Sequence, residues 1–263
     1  MPDVGYIAIV VAGFGAYWWR HLRARPREAA SELFTPDAEV ALHVAIHEAT
    51  SRRQRLSSIH VLYGLLQDEA VVDAIRTAGG DPDALEDRVL DALTAITDAS
   101  ARGDRDEDDD DDDEDDHGGG LAGRAAAIAR HGGRRASCTD LWAALGGSPA
   151  ARMIDDGKLD RGATLFALFH GGRAPDIALP DSRDVLVVLR NDHYTTQQFV
   201  CSLLREVFAL SDDRAHAIML ETHTAGRAVV GRFTAAAARD RIAQARALAR
   251  AQAFPLWLGV EPA

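Results

Sequence analysis

The sequence predicts a multi-domain chain with three parts: an N-terminal transmembrane helix, an all-α pair of helical repeats, and a C-terminal α+β sandwich of three helices on a three-stranded antiparallel sheet. Three observations predict it. An uncharged run near the N-terminus is followed at once by arginines. A helical pattern recurs at a constant offset of 80 residues. The last part of the chain alternates strand and helix periods in the order strand, helix, helix, strand, helix, strand. At 263 residues the chain can build more than one core.

An apolar content of 47% and a charged content of 27% are those of a globular protein. The net charge of −12 is local, because Asp106 to Asp116 is an unbroken run of 11 acidic residues and accounts for all but one of those charges. No basic surface is implied, so nucleic acid is not an expected partner. Cys138 and Cys201 lie far apart and lack metal-ligand spacing, which fits a reducing compartment better than a disulfide framework.

Residues 4–19 carry no charge, and Arg20, His21, Arg23, Arg25 and Arg27 follow directly. Sixteen helical residues span about 24 Å, at the short end for a bilayer core of about 30 Å. Trp18 and Trp19 stand where an interfacial aromatic belt belongs, and the arginines mark the cytoplasmic side. Asp3 precedes the run, unlike the basic start of a cleaved signal peptide. The expectation is an uncleaved single-pass anchor in the inner membrane, with the soluble domains in the cytoplasm.

Residues 34–171 read as one helical domain, interrupted by an acidic linker over 101–120. Thr35-Pro36-Asp37 starts a helix, with proline in its first turn. Val40, Val44 and Ile46 to Ala49 supply its apolar face. Ser57 or Ser58 opens a second helix with Ile59, Leu62, Leu65 and Leu66 inward; Val71, Val72 and Ile75 make a third, closed by Gly79-Gly80; Asp83 starts a fourth. Beyond the acidic run the plan repeats. Ser137 to Leu145 aligns with Ser57 to Leu65 at the offset of 80, and Arg134-Arg135 stands for the basic loop Arg52 to Arg55. A duplicated unit whose halves pack together is the natural reading. The carboxylate run repels itself and reads as a solvated insert.

LSSIHVLYGLL, duplicated at this spacing, resembles the double-repeat N-terminal domain of the Clp (Hsp100) protease-associated ATPases. The resemblance implies an all-helical pseudo-dimer that receives substrates and adaptors. No GxxxxGK[ST] phosphate loop occurs in the chain, so the motor itself is not expected.

Gly171 to Ser182 contains two prolines and no periodicity, and residues 172–182 read as a linker. The last domain spans 183–263. Leu186 to Leu189 is a short apolar strand, stopped by Asn191-Asp192-His193. Thr195 or Thr196 caps a helix carrying Phe199, Leu203, Leu204, Val207 and Phe208. Ser211-Asp212-Asp213 caps the next, which Gly226 ends. Arg227 to Phe233 is a strand, Thr234 caps a helix to about Gln252, and Leu256 to Val260 closes the sheet.

VLxNDxYTTxxFV at Val188 to Val200, IMLETHTAGRAVVG at Ile218 to Gly231, and FPLW at Phe254 to Trp257 resemble the ClpS adaptors. That resemblance implies a pocket for a protein's new N-terminus. Asn191, Asp192 and His223 would hold the α-amino group; Thr195, Gln197, Val200, Leu203, Met219, Thr222 and Leu256 would take the first side chain. An α-ammonium has three donors, and an amide oxygen, a carboxylate and a neutral imidazole nitrogen are three acceptors. An internal peptide bond cannot supply three donors. Three positions depart from the family pattern: His193 replaces an aspartate, Gln197 a methionine, and Thr222 a β-branched aliphatic. Arg241 matches a basic ATPase-docking position, while Ala236 stands at its acidic one.

The expected function is that of a non-enzymatic adaptor for ATP-dependent Clp proteolysis. Its partners would be proteins with N-terminal Leu, Phe, Tyr or Trp, a ClpA- or ClpC-like ATPase with its protease, and the membrane. The two domains of the chain would be free to dock on each other. The alternative is a membrane-anchored regulator or decoy that sequesters such substrates or blocks docking. No cofactor, metal or catalytic residue is expected: His43 and His47 lie four apart, but Glu48 follows them and HExxH is absent.

Overall fold

Buried small residues decide how the first helices pack. The computed structural model describes residues 33–102, 118–177 and 183–263, and its contacts divide the chain into Met1–Leu159 and Asp160–Ala263. In the first unit, α1 (Pro36–Ser51) buries Ala38, Ala41, Leu42, Ala45 and Ala49. Val40, expected inward, is 60% exposed. The reason lies in α2 (Ser58–Leu65), where a Cβ on Gly64 would stand 2.1 Å from the Ala41 carbonyl oxygen. Only a glycine lets the two helices approach so closely, and that approach selects the small-residue stripe rather than the valines.

After α2 come α3 (Glu69–Thr77), α4 (Pro82–Arg102), α5 (Gly118–His131), α6 (Cys138–Ala144) and α7 (Pro149–Asp156). Gly118 to Gly120, read in the sequence as part of the linker over 101–120, are instead the first turn of α5. The offset of 80 is visible in atomic detail. Ser57 N–H donates to His60 Nδ1 (3.2 Å), and the imidazole Nε2 pairs with Gln54 Oε1 (2.9 Å). At the equivalent positions Ser137 N–H donates to Asp140 Oδ2 (2.8 Å), and Arg134 donates to Asp140 Oδ1 (2.7 Å). A neutral pair in one half is an ion pair in the other. Burial pushes the Asp140 carboxyl up, but the Arg134 and Ser137 donors outweigh it and hold it below its usual range.

The halves also grip each other reciprocally. Ser58 Oγ accepts from Ala150 N–H at the start of α7 (3.3 Å), and the Cys138 thiol donates to Asp68, the N-cap of α3 (3.6 Å). An isolated parallel bridge between Phe34 and Ala136 adds backbone pairing, with Ala136 N–H on the Leu33 carbonyl at 2.8 Å.

The second unit begins with α8 (Arg161–His170), which the sequence placed with the helical domain. A Cβ on Gly162 would lie 2.7 Å from the Arg250 carbonyl oxygen, so this helix sits directly on the backbone of the last helix. Then follow β1 (Asp184–Arg190), α9 (Gln197–Phe208), α10 (Asp212–Ala225), β2 (Arg227–Thr234), α11 (Ala235–Ala251) and β3 (Trp257–Pro262). The sheet is antiparallel with order β2-β1-β3 and a bulge at Val187/Val188. Val185, Val187 and Leu189 join the core with Leu203, Leu204, Phe208, Ile218, Ile242 and Leu258. Val188 points the other way yet is fully buried. It pairs with Gly259, and the Trp257 indole lies across that glycine, with Arg190 stacked at 4.0 Å on the ring. Residues 173–177, expected as linker, run along α11, whose Arg246 and Arg239 donate to the Pro175 and Ile177 carbonyls (2.9 and 3.3 Å).

The expected transmembrane helix and single-pass inner-membrane placement need correction. Among the described residues no helix is long and apolar enough to cross a membrane. The longest, α4, carries Asp83, Glu86, Asp87, Arg88 and Asp91 in its first three turns. Residues 4–19, on which the expectation rested, lie outside the described residues. The membrane partner and the membrane-anchored regulator or decoy are therefore set aside.

Candidate functional site

The site grows from the register of two strands. Arg190 at the end of β1 pairs with Arg227 at the start of β2. Gly226, in the left-handed region at φ 78°, ends α10 just before Arg227. Asn191 N–H then donates to the Gly226 carbonyl at 2.9 Å. The turn after β1 is thus tied to the C-terminal end of α10, where His223 occupies the last turn. One backbone bond brings Asn191, Asp192 and His223 to the same corner of the domain.

Asp192 is 8% exposed. Its Oδ1 accepts from Tyr194 N–H (2.8 Å) and Thr195 N–H (2.6 Å), and its Oδ2 from the Thr195 hydroxyl (2.7 Å). This is an Asx turn leading into the Thr196 N-cap, whose hydroxyl accepts from Phe199 N–H at 3.3 Å. The carboxylate is therefore the organiser of its loop as well as its negative charge. Asn191 is half-buried and His223 exposed, and among the described residues neither side chain makes a hydrogen bond of its own.

Beside this corner an open groove of about 590 Å³ runs between α9 and α10, lined by Gln197, Gln198, Cys201, Ser202, Arg205, Asp212, His216 and Met219. Arg205 and Asp212 close its far end with a 2.8 Å ion pair. Of the seven positions expected to receive a side chain, Gln197 and Met219 line the groove. Val200, Leu203 and Leu256, like Met219, are buried in the core. Thr222 is buried, and its hydroxyl donates to the Ile218 carbonyl (2.8 Å). The Thr195 hydroxyl is taken by Asp192, so of these positions only Gln197 brings an uncommitted polar group among the described residues. Arg241 lies apart: it donates to the Val207 carbonyl at 2.7 Å and stacks 5.1 Å from Phe233.

Sequence reasoning missed Cys201, Ser202 and His216 on the groove. Their spacing from Gln197 and Met219 on the same helix faces was the available signal. It also missed the end of α8. The Phe169 ring meets Tyr194 edge-on at 5.4 Å and His193 at 6.2 Å. His170 Nε2 donates to the Pro255 carbonyl at 2.8 Å. Burial pushes the His170 imidazole below its ordinary value, against the pull of the Pro255 carbonyl and the Asp192 carboxylate and with the help of Arg190.

Comparison with known proteins agrees with this part of the chain. The ClpS protein of Oleidesulfovibrio alaskensis, an ATP-dependent Clp protease adaptor, is 40% identical over 83 residues, which cover 32% of this chain and 80% of that relative. This chain belongs to the ClpS family. The family pattern of the ATP-dependent Clp protease adaptor protein ClpS matches residues 181–259. The ClpS adaptor of Nitratidesulfovibrio vulgaris is 40% identical over 90 residues, covering 33% of this chain and 90% of that protein. Among solved structures, Agrobacterium tumefaciens ClpS2 bound to L-phenylalaninamide is 33% identical, covers 31% of this chain and 99% of that one, and has a TM-score of 0.30. Ahead of the ClpS part, the Clp repeat (R) N-terminal domain matches residues 33–107. The chain thus joins a Clp N-terminal repeat to a ClpS-family part.

Proposed function

We propose that the ClpS part binds the free α-amino terminus of other proteins whose first residue is bulky and hydrophobic, and delivers them to a Clp ATPase–protease. Asn191 and His223 accept from the ammonium, and the Asp192 carboxylate supplies the opposing charge while shaping the loop. Thr195, Gln197, Val200, Leu203, Met219, Thr222 and Leu256 surround the first side chain. Leu, Phe, Tyr and Trp are the first residues suited to the apolar members Val200, Leu203, Met219 and Leu256, with Gln197 favouring those that carry a polar tip. The observation that supports the reading is the backbone bond from Asn191 N–H to the Gly226 carbonyl, which ties the turn carrying Asn191 and Asp192 to the end of α10, the helix that carries Met219 and, in its last turn, His223. Docking to the ATPase is assigned to the α11 surface around Arg241. Fluorescence anisotropy with labelled peptides tests the proposal. His223→Ala should weaken binding about tenfold or more, the loss of one charge-assisted bond. Unchanged affinity contradicts it.

A further inference from the structure

Residues 160–177 fall between the two stretches matched to known families, 33–107 and 181–259. Yet they are built into the ClpS unit. At one end Asp160 caps α8 by accepting from Ala163 N–H at 2.8 Å, and Gly162 packs against the backbone of Arg250 and Ala253. At the other, Gly171 ends the helix at φ 72°, and Arg246 and Arg239 hold the following strap by its carbonyls. Helix α8 is therefore a fixed platform. Its last turn touches both walls of the amine site: Phe169 meets His193 and Tyr194 in the loop, and His170 holds Pro255, the residue before Leu256.

We propose that α8 is a built-in brace for the amine-binding loop, with Phe169 as a positioning residue that holds residues 191–195 ready for a free N-terminus. The inference rests on the amine-binding reading of Asn191, Asp192 and His223. His193 and Tyr194 lie between the two residues, Asp192 and Thr195, whose hydrogen bonds shape the loop. Fixing the middle of that turn from outside removes ordering that a bound peptide would otherwise have to impose. His193, a departure from the family pattern, thereby gains a partner: with Tyr194 it is one of the two loop rings that Phe169 meets edge-on, while His170, beside it on α8, makes a third such contact at 4.8 Å.

The test uses the full chain and two readouts. A labelled free-amine peptide beginning with Phe should bind Phe169→Ala about tenfold more weakly, the scale of losing the two aromatic pairs that reach the loop, to His193 and Tyr194. Hydrogen exchange at the Tyr194 and Thr195 amides should quicken while the amides of β1 stay protected. Phe169→Tyr, which keeps the ring edge, should restore both. Unchanged affinity and exchange in Phe169→Ala overturn the brace. So does faster exchange spread evenly over the unit without rescue by tyrosine. Should the wild-type chain bind no free-amine peptide, the amine reading fails, and the brace then stands or falls on the two amide rates alone.

Discussion

Replacing Asp192 separates its two duties, because alanine and asparagine remove different things. Alanine removes the acceptor of two backbone N–H groups and one hydroxyl, at a position only 8% exposed. Hydrogen bonds to a charged acceptor contribute about 1.5–3 kcal/mol each, less where water can replace them. Tyr194 and Thr195 are half-buried, so a total of about 2–3 kcal/mol is expected rather than the full sum. For a unit of about 100 residues this lowers the melting temperature by roughly 10–20 °C. Asparagine keeps Oδ1 for the two N–H groups, and the Thr195 hydroxyl can rotate to accept; its stability cost should be about 1 kcal/mol. Its effect on binding should be larger: about tenfold for a free-amine peptide, through loss of the opposing charge. Thermal melting and anisotropy on the same samples read both quantities. Asp192→Ala melting with the wild type would refute the loop-organising role. Asp192→Asn binding a free amine at wild-type affinity would refute the electrostatic one.

Arg241→Ala should cost about 1–2 kcal/mol in urea unfolding, since it removes the donor to Val207 and the contact with Phe233, and Arg241→Lys should recover part of it. His170, held by burial below the ordinary histidine value of 6.5, folds most favourably when neutral, so its contribution is present above about pH 6.5 and is lost as pH falls through the lower value of the folded state. The wild-type urea midpoint should therefore drop between pH 7 and 5, and His170→Gln, still facing Asp192, Arg190 and Pro255, should show a flatter profile. Equal slopes would contradict the assignment. Gly64→Ala puts a methyl into the Ala41 carbonyl and should destabilise the helical unit by about 1–3 kcal/mol in thermal melting; an unchanged melt would mean that the helices part freely.

What the sequence disclosed depended on how local the cause was. The strands around Val187 and Val229, the caps at Thr196, Ser211 and Thr234, and the repeat from Ser57 to Ser137 all carry their signals within a few residues. The packed face of α1 did not: the valines were the more hydrophobic choice, but Gly64, distant in sequence, selected the alanines. Helix α8 misled for the same reason. Its apolar residues suit either unit, and only the close approach of Gly162 to Arg250 and the ring contacts of Phe169 decide where it belongs. At the site, the residue types on which the amine proposal rests were readable. That Asp192 is largely engaged by its own turn became visible only with Tyr194 and Thr195 in place, although an aspartate three residues before a threonine was the available hint.

The central claim is that this ClpS-family chain recognises a free α-amino group together with a bulky first side chain. The direct measurement is the affinity of a peptide series varied only at residue one, each with a free and an acetylated N-terminus. Free peptides beginning with Leu, Phe, Tyr or Trp should bind, and acetylation should weaken each by about a hundredfold, since it removes the charge and two donors at once. Equal binding of the free and acetylated forms would contradict the account.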